Sequence, residues 1–129
     1  MTEIEGGKVW EYSAITHHGF YRMIVRDFPV MLDNEGIEET LDANIERVYS
    51  DGQVTFLSKR TFSYAGRPAR EIVIQEKDKI QKARFYILNK KLFFLYVTVQ
   101  PKKYWPEVEK WADKFLDSFE VVVQLKNQG

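Results

Sequence analysis

The sequence contains no cysteine, few prolines and glycines, and no long apolar run. Without cysteine the chain cannot form a disulfide, use a thiolate nucleophile or bind a metal through sulfur. Four prolines and seven glycines among 129 residues exclude collagen and low-complexity sequence. The apolar runs are far shorter than the ~20 residues of a membrane-spanning helix. Residues 1–7 are acidic and lack the pattern of a secretory leader. We therefore expect a cytoplasmic chain, unless a leader has been removed.

The chain also lacks net charge, because nineteen basic residues balance nineteen acidic ones. No overall field predicts binding to nucleic acid, and we expect none. The balance conceals an asymmetry, however. Residues 1–58 carry eleven acidic and four basic residues, whereas residues 59–104 carry twelve basic and three acidic residues. The basic stretch is a candidate docking surface for an acidic protein or an anionic lipid surface. It equally fits solubility and internal pairing with the acidic part of the chain.

Hydrophobic residues make up 44% of the chain and aromatic residues 15%, which excludes a disordered protein. A length of 129 residues is typical of a single domain. We expect one domain over 1–129, with a core of about 6–124.

Strands are predicted in runs where apolar and polar residues alternate, and at 92–99, where residues 92–97 are apolar on both faces and the strand should be covered on both sides. Those runs are 8–15, 20–27, 54–63, 70–77, 80–89, 92–99 and 120–125. Helical spacing of apolar residues predicts one helix at 35–50 and a second that begins near Pro106. The breaks within 54–99 are too short for parallel crossovers, so these strands should form an antiparallel meander. The order ββ-α-ββββ-α-β predicts an α+β fold, an antiparallel sheet sandwiched between helices.

Several short motifs occur in a recognisable order. Tyr21–Pro29 is a strand that ends in Asp-x-Pro, and Tyr64–Glu71 contains a Gly-x-Pro turn. Arg84–Leu95 forms an Arg-x-Tyr hairpin, and Phe115–Phe119 reads Phe-Leu-x-Ser-Phe. Together they resemble the PsbP-like or Mog-like proteins over about residues 6–124. Ala69 departs from the pattern, because the family often has glycine there, and a positive φ would strain an alanine.

The resemblance implies an α/β/α sandwich and carries no functional residue across. Family members that are understood act as non-catalytic accessory proteins, namely extrinsic partners of photosystem II or a Ran-binding import factor. The resemblance therefore implies an accessory role, which is an argument from fold and not from a site.

The meander predicts where its cations lie. Arg67, Lys90 and Lys91 should meet at the end of the sheet that holds the first and third turns, whereas Lys82 and Arg84 should share one face. An aromatic anchor at the junction of strand and helix is the further candidate. The predicted partner-binding residues are Lys82, Arg84, Arg67, Lys90, Lys91 and Trp105.

Catalytic and metal-binding signatures are absent from the sequence. We find no G-x-S-x-G elbow, phosphate-binding loop or dinucleotide fingerprint. The adjacent pair His17 and His18 fits a polar turn better than a metal site, because neighbouring residues on a strand point to opposite faces. The acidic helix face at Glu38, Asp42 and Glu46 is read as a solvated face, with a basic partner or a weak cation as the alternative. We expect no cofactor, no metal and no enzyme activity.

These observations favour a non-catalytic accessory or binding module that docks to a protein partner through a basic face of its sheet. One alternative is a small-molecule-binding protein or unrecognised enzyme, with a pocket between sheet and helix. Another is a purely structural domain, or a homodimer through an edge strand. A monomer or weak dimer is expected in solution.

Overall fold

The computed structural model describes residues 2–4, 7–16, 19–50 and 52–120, with side chains over 19–50 and 52–120. Within these ranges the chain forms seven strands, two α-helices and one short 3₁₀ turn. The elements are β1 (Thr2–Ile4), β2 (Gly7–Thr16), β3 (Gly19–Asp27), α1 (Asn34–Val48), β4 (Val54–Tyr64), β5 (Arg67–Glu76), β6 (Lys79–Leu88), β7 (Lys91–Val99), the 3₁₀ turn (Lys102–Tyr104) and α2 (Trp105–Asp117).

The described strands form one antiparallel sheet in the order β1-β2-β3-β7-β6-β5-β4. The predicted meander from β4 to β7 and the predicted pairing of β2 with β3 are both confirmed. The β2–β3 hairpin joins the meander at β7, with a register that runs from Gly19 opposite Val99 to Asp27 opposite Lys91. Strand β1, which the sequence did not predict, pairs with β2. The described residues end at 120, so the predicted strand at 120–125, apart from its first residue, and the tail after it lie outside them.

Two tight turns of the meander use left-handed backbone. Ala65 and Gly66 have φ of 53° and 76°, and Asn89 and Lys90 have φ of 48° and 62°. Two consecutive left-handed residues are typical of a type I′ turn, whose twist matches that of the flanking strands. Ala69 instead lies in β5 and is not among the positive-φ residues. The positive φ that the sequence suggested for Ala69 occurs at Ala65 instead.

Helix α1 begins where an aspartate can cap it. The Asp33 carboxylate accepts a hydrogen bond of 2.8 Å from the Gly36 backbone N–H, which satisfies one of the first free donors. Ile37, Leu41 and Ile45 recur at helical spacing and are buried. The helix begins one residue before the predicted range and ends two residues short of it.

The two helices cover opposite faces of the sheet. Helix α1 packs on one face, where its buried residues Ile37, Leu41 and Ile45 form a core cluster with the sheet residues Ile72, Ile74, Ala83, Phe85, Ile87 and Leu92. Helix α2 packs on the other face, where its buried residues Val108, Ala112 and Leu116 contact clusters that contain the sheet residues Val25, Ala69, Tyr86, Leu88, Phe93, Leu95, Val97 and Val99. The predicted sandwich is therefore confirmed. Strand β7 is covered on both sides, which explains why both of its faces are apolar.

Candidate functional site

The α2 face of β6 carries two of the predicted docking residues. Lys82 Nζ lies 2.6 Å from Asp113 Oδ1 of α2, and Arg84 Nη1 lies 2.8 Å from Asp117 Oδ1. Lys82 and Arg84 share one face as predicted, but α2 covers that face and each side chain is only 12% exposed. The structure corrects their expected exposure: these cations bind carboxylates of their own chain and leave little surface for a partner.

Glu71 completes this ion network from the neighbouring strand. Its carboxylate lies 2.7 Å from Arg84 Nε and 3.1 Å from Arg60 Nη2, and the residue is 7% exposed. Burial alone would raise the pKa of Glu71, but hydrogen bonds from Arg60 and Arg84 outweigh it, so the pKa lies below its ordinary value. Burial would lower the pKa of Arg84, but the hydrogen bonds that Arg84 donates to Glu71 and Asp117 outweigh it and raise that pKa. The network stays charged and holds α2 against the sheet.

Arg67, Lys90 and Lys91 lie at the predicted end of the sheet, at the β4–β5 and β6–β7 turns. Arg67 Nη1 donates to Asn34 Oδ1 at 3.1 Å, and Lys91 Nζ lies 2.6 Å from Asp27 Oδ1. Lys90 is exposed. The three residues are brought together by the topology, and their role in partner binding stays a prediction.

Of the two tryptophans of α2, the more exposed one is Trp111 and not the predicted Trp105. Trp105 is partly buried and packs against the cluster of Val97, Val99, Val108 and Ala112. Trp111, on the same helix, is 48% exposed. Lys110 Nζ and Lys114 Nζ lie 5.4 Å and 4.7 Å from the centroid of its ring. The sequence held the signal, because Trp111 falls beside the buried stripe of α2 and not within it.

The acidic face of α1 finds a basic partner within the protein. Arg70 Nε lies 2.9 Å from Asp42 Oδ1, and Arg70 Nη2 lies 3.3 Å from Glu38 Oε1. The two carboxylates are 63% and 48% exposed, so these pairs contribute little stability. The internal pairing that was the alternative reading of the basic stretch thus accounts for two of the three acids on this face.

Two hollows flank α1 on its face of the sheet. The larger, about 740 Å³, lies between α1 and strands β4 and β5, and the smaller, about 550 Å³, lies beside the C-terminal end of α1. Tyr49 lines both. The smaller hollow has a floor of β3, β5, β6 and β7 residues, among them Phe20, Phe94 and Tyr96.

A chain of uncharged polar groups crosses the smaller hollow. The Tyr49 hydroxyl donates to Gln81 Oε1, and Gln81 Nε2 donates to Thr98 Oγ1 at 3.0 Å. Burial, with a smaller contribution from Tyr96, raises the pKa of Tyr49 above its ordinary value. The phenol therefore stays neutral at physiological pH.

The described part of the chain offers neither a cluster of metal ligands nor a membrane-spanning helix. Within the described ranges, no group of three or more histidine, aspartate or glutamate side chains converges to hold a metal ion. His17 and His18 lie outside those ranges. None of the helices in the described part of the chain has the length and apolar character needed to cross a membrane.

The fold is similar to two solved structures. The solution structure of cyanobacterial PsbP (CyanoP) from Synechocystis sp. PCC 6803 matches with a TM-score of 0.60 and 15% identity, over 81% of this chain and 68% of that one. The crystal structure of PA94 from Pseudomonas aeruginosa, a protein of unknown function described as a candidate regulator, matches with a TM-score of 0.65 and 9% identity. That match covers 92% of this chain and 85% of PA94. No protein-family model and no curated protein matches the sequence. These likenesses show a PsbP-like fold.

Proposed function

We propose that the chain is a non-catalytic accessory module that docks to an acidic protein surface through the outer face of α2, around Trp111. The exposure of Trp111 carries the proposal. A tryptophan that is 48% exposed contributes less to the stability of the fold than a core side chain does. Its large flat ring is the kind of group that dominates interface energies. The accessory role that the PsbP-like resemblance implies supports the same function.

The helix that carries Trp111 is held firmly in place. Its underside is apolar, with Val108, Ala112 and Leu116 buried against the sheet. The ion pairs from Lys82 to Asp113 and from Arg84 to Asp117 fix its sides. A preorganised surface loses little conformational entropy when it binds, so more of the contact energy appears as affinity.

The charge around the ring selects the partner. Lys110 and Lys114 both approach the Trp111 ring, and both are exposed. Helix α2 also carries four acidic residues, of which Asp113 and Asp117 pair with Lys82 and Arg84 of the sheet, so the two lysines are the cations nearest the ring. Neither lysine has an ion pair within the described residues, so both remain available to carboxylates of a partner.

The test compares three variants for binding to a protein captured from an extract of the source cells and then purified. Trp111→Ala should weaken binding at least about tenfold, as expected for the loss of an interface anchor. Lys110→Glu with Lys114→Glu should weaken binding most at low salt, because exposed charges are screened as salt rises. Lys90→Glu is the matched control, since Lys90 is an exposed lysine at the β6–β7 turn.

Binding by Trp111→Ala at the wild-type affinity would contradict the proposal. A selective loss of binding in Lys90→Glu would return the docking site to the turns that hold Arg67, Lys90 and Lys91.

A further inference from the structure

We infer that the smaller hollow, beside Tyr49, is a binding site for an uncharged planar ligand that carries an amide-like hydrogen-bonding edge. The hollow of about 550 Å³ falls within the size range of small-molecule sites, roughly 300–1,000 Å³. It lies on the α1 face, whereas the proposed docking surface lies on α2, so the two sites are separate.

The floor of the hollow offers aromatic faces. Phe94 and Tyr96 have ring centroids 4.9 Å apart, and Phe20 lies 6.3 Å from Tyr96. Each of these rings is only partly buried. The Phe94 ring stacks on its cross-strand neighbour Phe85 at 4.5 Å, which fixes its position and occupies one of its faces. Phe94 and Phe20 are tilted by 42° and 45° to the Tyr96 ring, so a planar ligand can stack on one ring face and contact the other rings at their edges.

The polar groups in the hollow have hydrogen-bonding capacity left over. Tyr49 and Thr98 each engage the Gln81 amide once. A glutamine amide has two N–H donors and two acceptor positions, so one donor and one acceptor position remain on Gln81. The Thr98 hydroxyl can still donate. A ligand with an adjacent donor and acceptor would match this edge.

The charges around the hollow are balanced. Glu76 and Lys79 line it and pair with each other at 3.2 Å. The Tyr96 hydroxyl accepts a hydrogen bond of 3.1 Å from Arg22. Among the described residues that line the hollow, Glu76 and Lys79 are the charged ones and they pair with each other, so a charged ligand would lose its hydration without finding an unpaired opposite charge among them.

The larger hollow does not have this character. Among the charged residues that line it, Arg70 pairs with Asp42 and Arg60 pairs with Glu71. Six of its twelve lining residues are charged, against two of eleven in the smaller hollow. This contrast directs the inference to the smaller hollow and supplies a control surface on the same face of the sheet.

The experiment uses three probes that share one ring: benzamide, benzoate and benzylammonium. Saturation-transfer NMR on the full chain should detect benzamide and give much weaker signals for the two ions. Tyr96→Leu, which removes one ring, and Gln81→Leu, which removes the amide, should each weaken benzamide binding by about fivefold or more. Thr61→Val, in the larger hollow, should leave it unchanged.

Each variant is first checked for folding by circular dichroism and thermal unfolding. Should Gln81→Leu prove unstable, Thr98→Val removes a single hydroxyl and gives the same readout. The inference is overturned if benzamide does not bind, if either ion binds more tightly, or if benzamide binds the folded Tyr96 and Gln81 or Thr98 variants as it binds wild type. Trp111→Ala should bind benzamide normally, which keeps this result independent of the docking proposal.

Discussion

The two faces of the sheet are both covered by an amphipathic helix, yet they are finished differently. Under α2, the apolar contacts are bordered by an ion network in which Arg84 lies 2.7 Å from Glu71 and 2.8 Å from Asp117. Over the other face, α1 covers mainly β5 and β6 and leaves a hollow on either side. The difference teaches that an ion network borders the covered face under α2, while the α1 face leaves one hollow lined largely by charged groups and a smaller one lined mainly by uncharged groups.

The largest expected effect tests whether the two faces share one core. Leu41 of α1 and Leu116 of α2 are both fully buried. Leu41→Ala and Leu116→Ala should each lower the free energy of unfolding by about 2–5 kcal/mol, through lost contacts and the cavity left behind. Urea unfolding monitored by circular dichroism measures both. A small loss for one leucine and a large loss for the other would show that one helix is only loosely attached.

The next effect separates the buried ion network from the exposed pairs. Glu71→Gln should cost about 3 kcal/mol, because it removes one of the two carboxylates that pair with Arg84, whose side chain is only 12% exposed. Asp42→Asn, at the 63% exposed pair with Arg70, should cost about 0.5 kcal/mol or less. Equal losses in urea unfolding would break the proposed contrast between the faces.

The pH dependence of stability should test the two faces separately, with Glu71 acting on the acid side of the profile and Tyr49 on the alkaline side. The lowered pKa of Glu71 means that its contribution is present above the ordinary glutamate pKa and is lost as pH falls through the lower folded-state value. The raised pKa of Tyr49 means that its contribution is present below the ordinary tyrosine pKa and is lost as pH rises toward the folded-state value.

Thermal unfolding across pH checks both signs. Glu71→Gln should differ from wild type most near neutral pH and least in acid. Tyr49→Phe should soften the loss of stability in alkali and leave the acid limb alone. A Tyr49→Phe profile parallel to wild type above pH 10 would contradict the assignment.

The smallest expected effect concerns the outer side of α2. Trp111→Ala should change the free energy of unfolding by less than about 1 kcal/mol, because the ring is 48% exposed. The same urea measurement on Trp105→Ala, which removes a partly buried ring packed against the core, should give a clearly larger loss of unfolding free energy. A large loss for Trp111 would mean that the ring serves the fold.

Much of the fold followed from local pattern. Alternation predicted the meander strands to within a few residues, and the stripe of Ile37, Leu41 and Ile45 predicted α1. Short breaks fixed the antiparallel pairing, since only crossovers can make parallel neighbours. The pairing of β3 with β7 did not follow, because 63 residues of chain separate Asp27 from its partner Lys91 and no local pattern encodes that contact.

The site was predicted less well than the fold, for a reason that Arg84 illustrates. Its place on one face of β6 follows from strand periodicity, but its partners Glu71 and Asp117 come from other elements. The spacing of basic residues therefore predicted a charged face and could not show that α2 neutralises it. The hollow at Tyr49 depends on where α1 ends, together with residues of five strands, and has no local signature.

The most direct test of the docking proposal places a photo-crosslinking amino acid at three exposed positions: 111 on α2, 90 at the β6–β7 turn and 57 on β4, where Leu57 is 51% exposed. Each variant is irradiated in the source cells, and crosslinked proteins are identified by mass spectrometry. We expect one acidic protein to be crosslinked from position 111 and not from 90 or 57. Crosslinking of one protein from 90 or 57, with none from 111, would contradict the proposed role of α2.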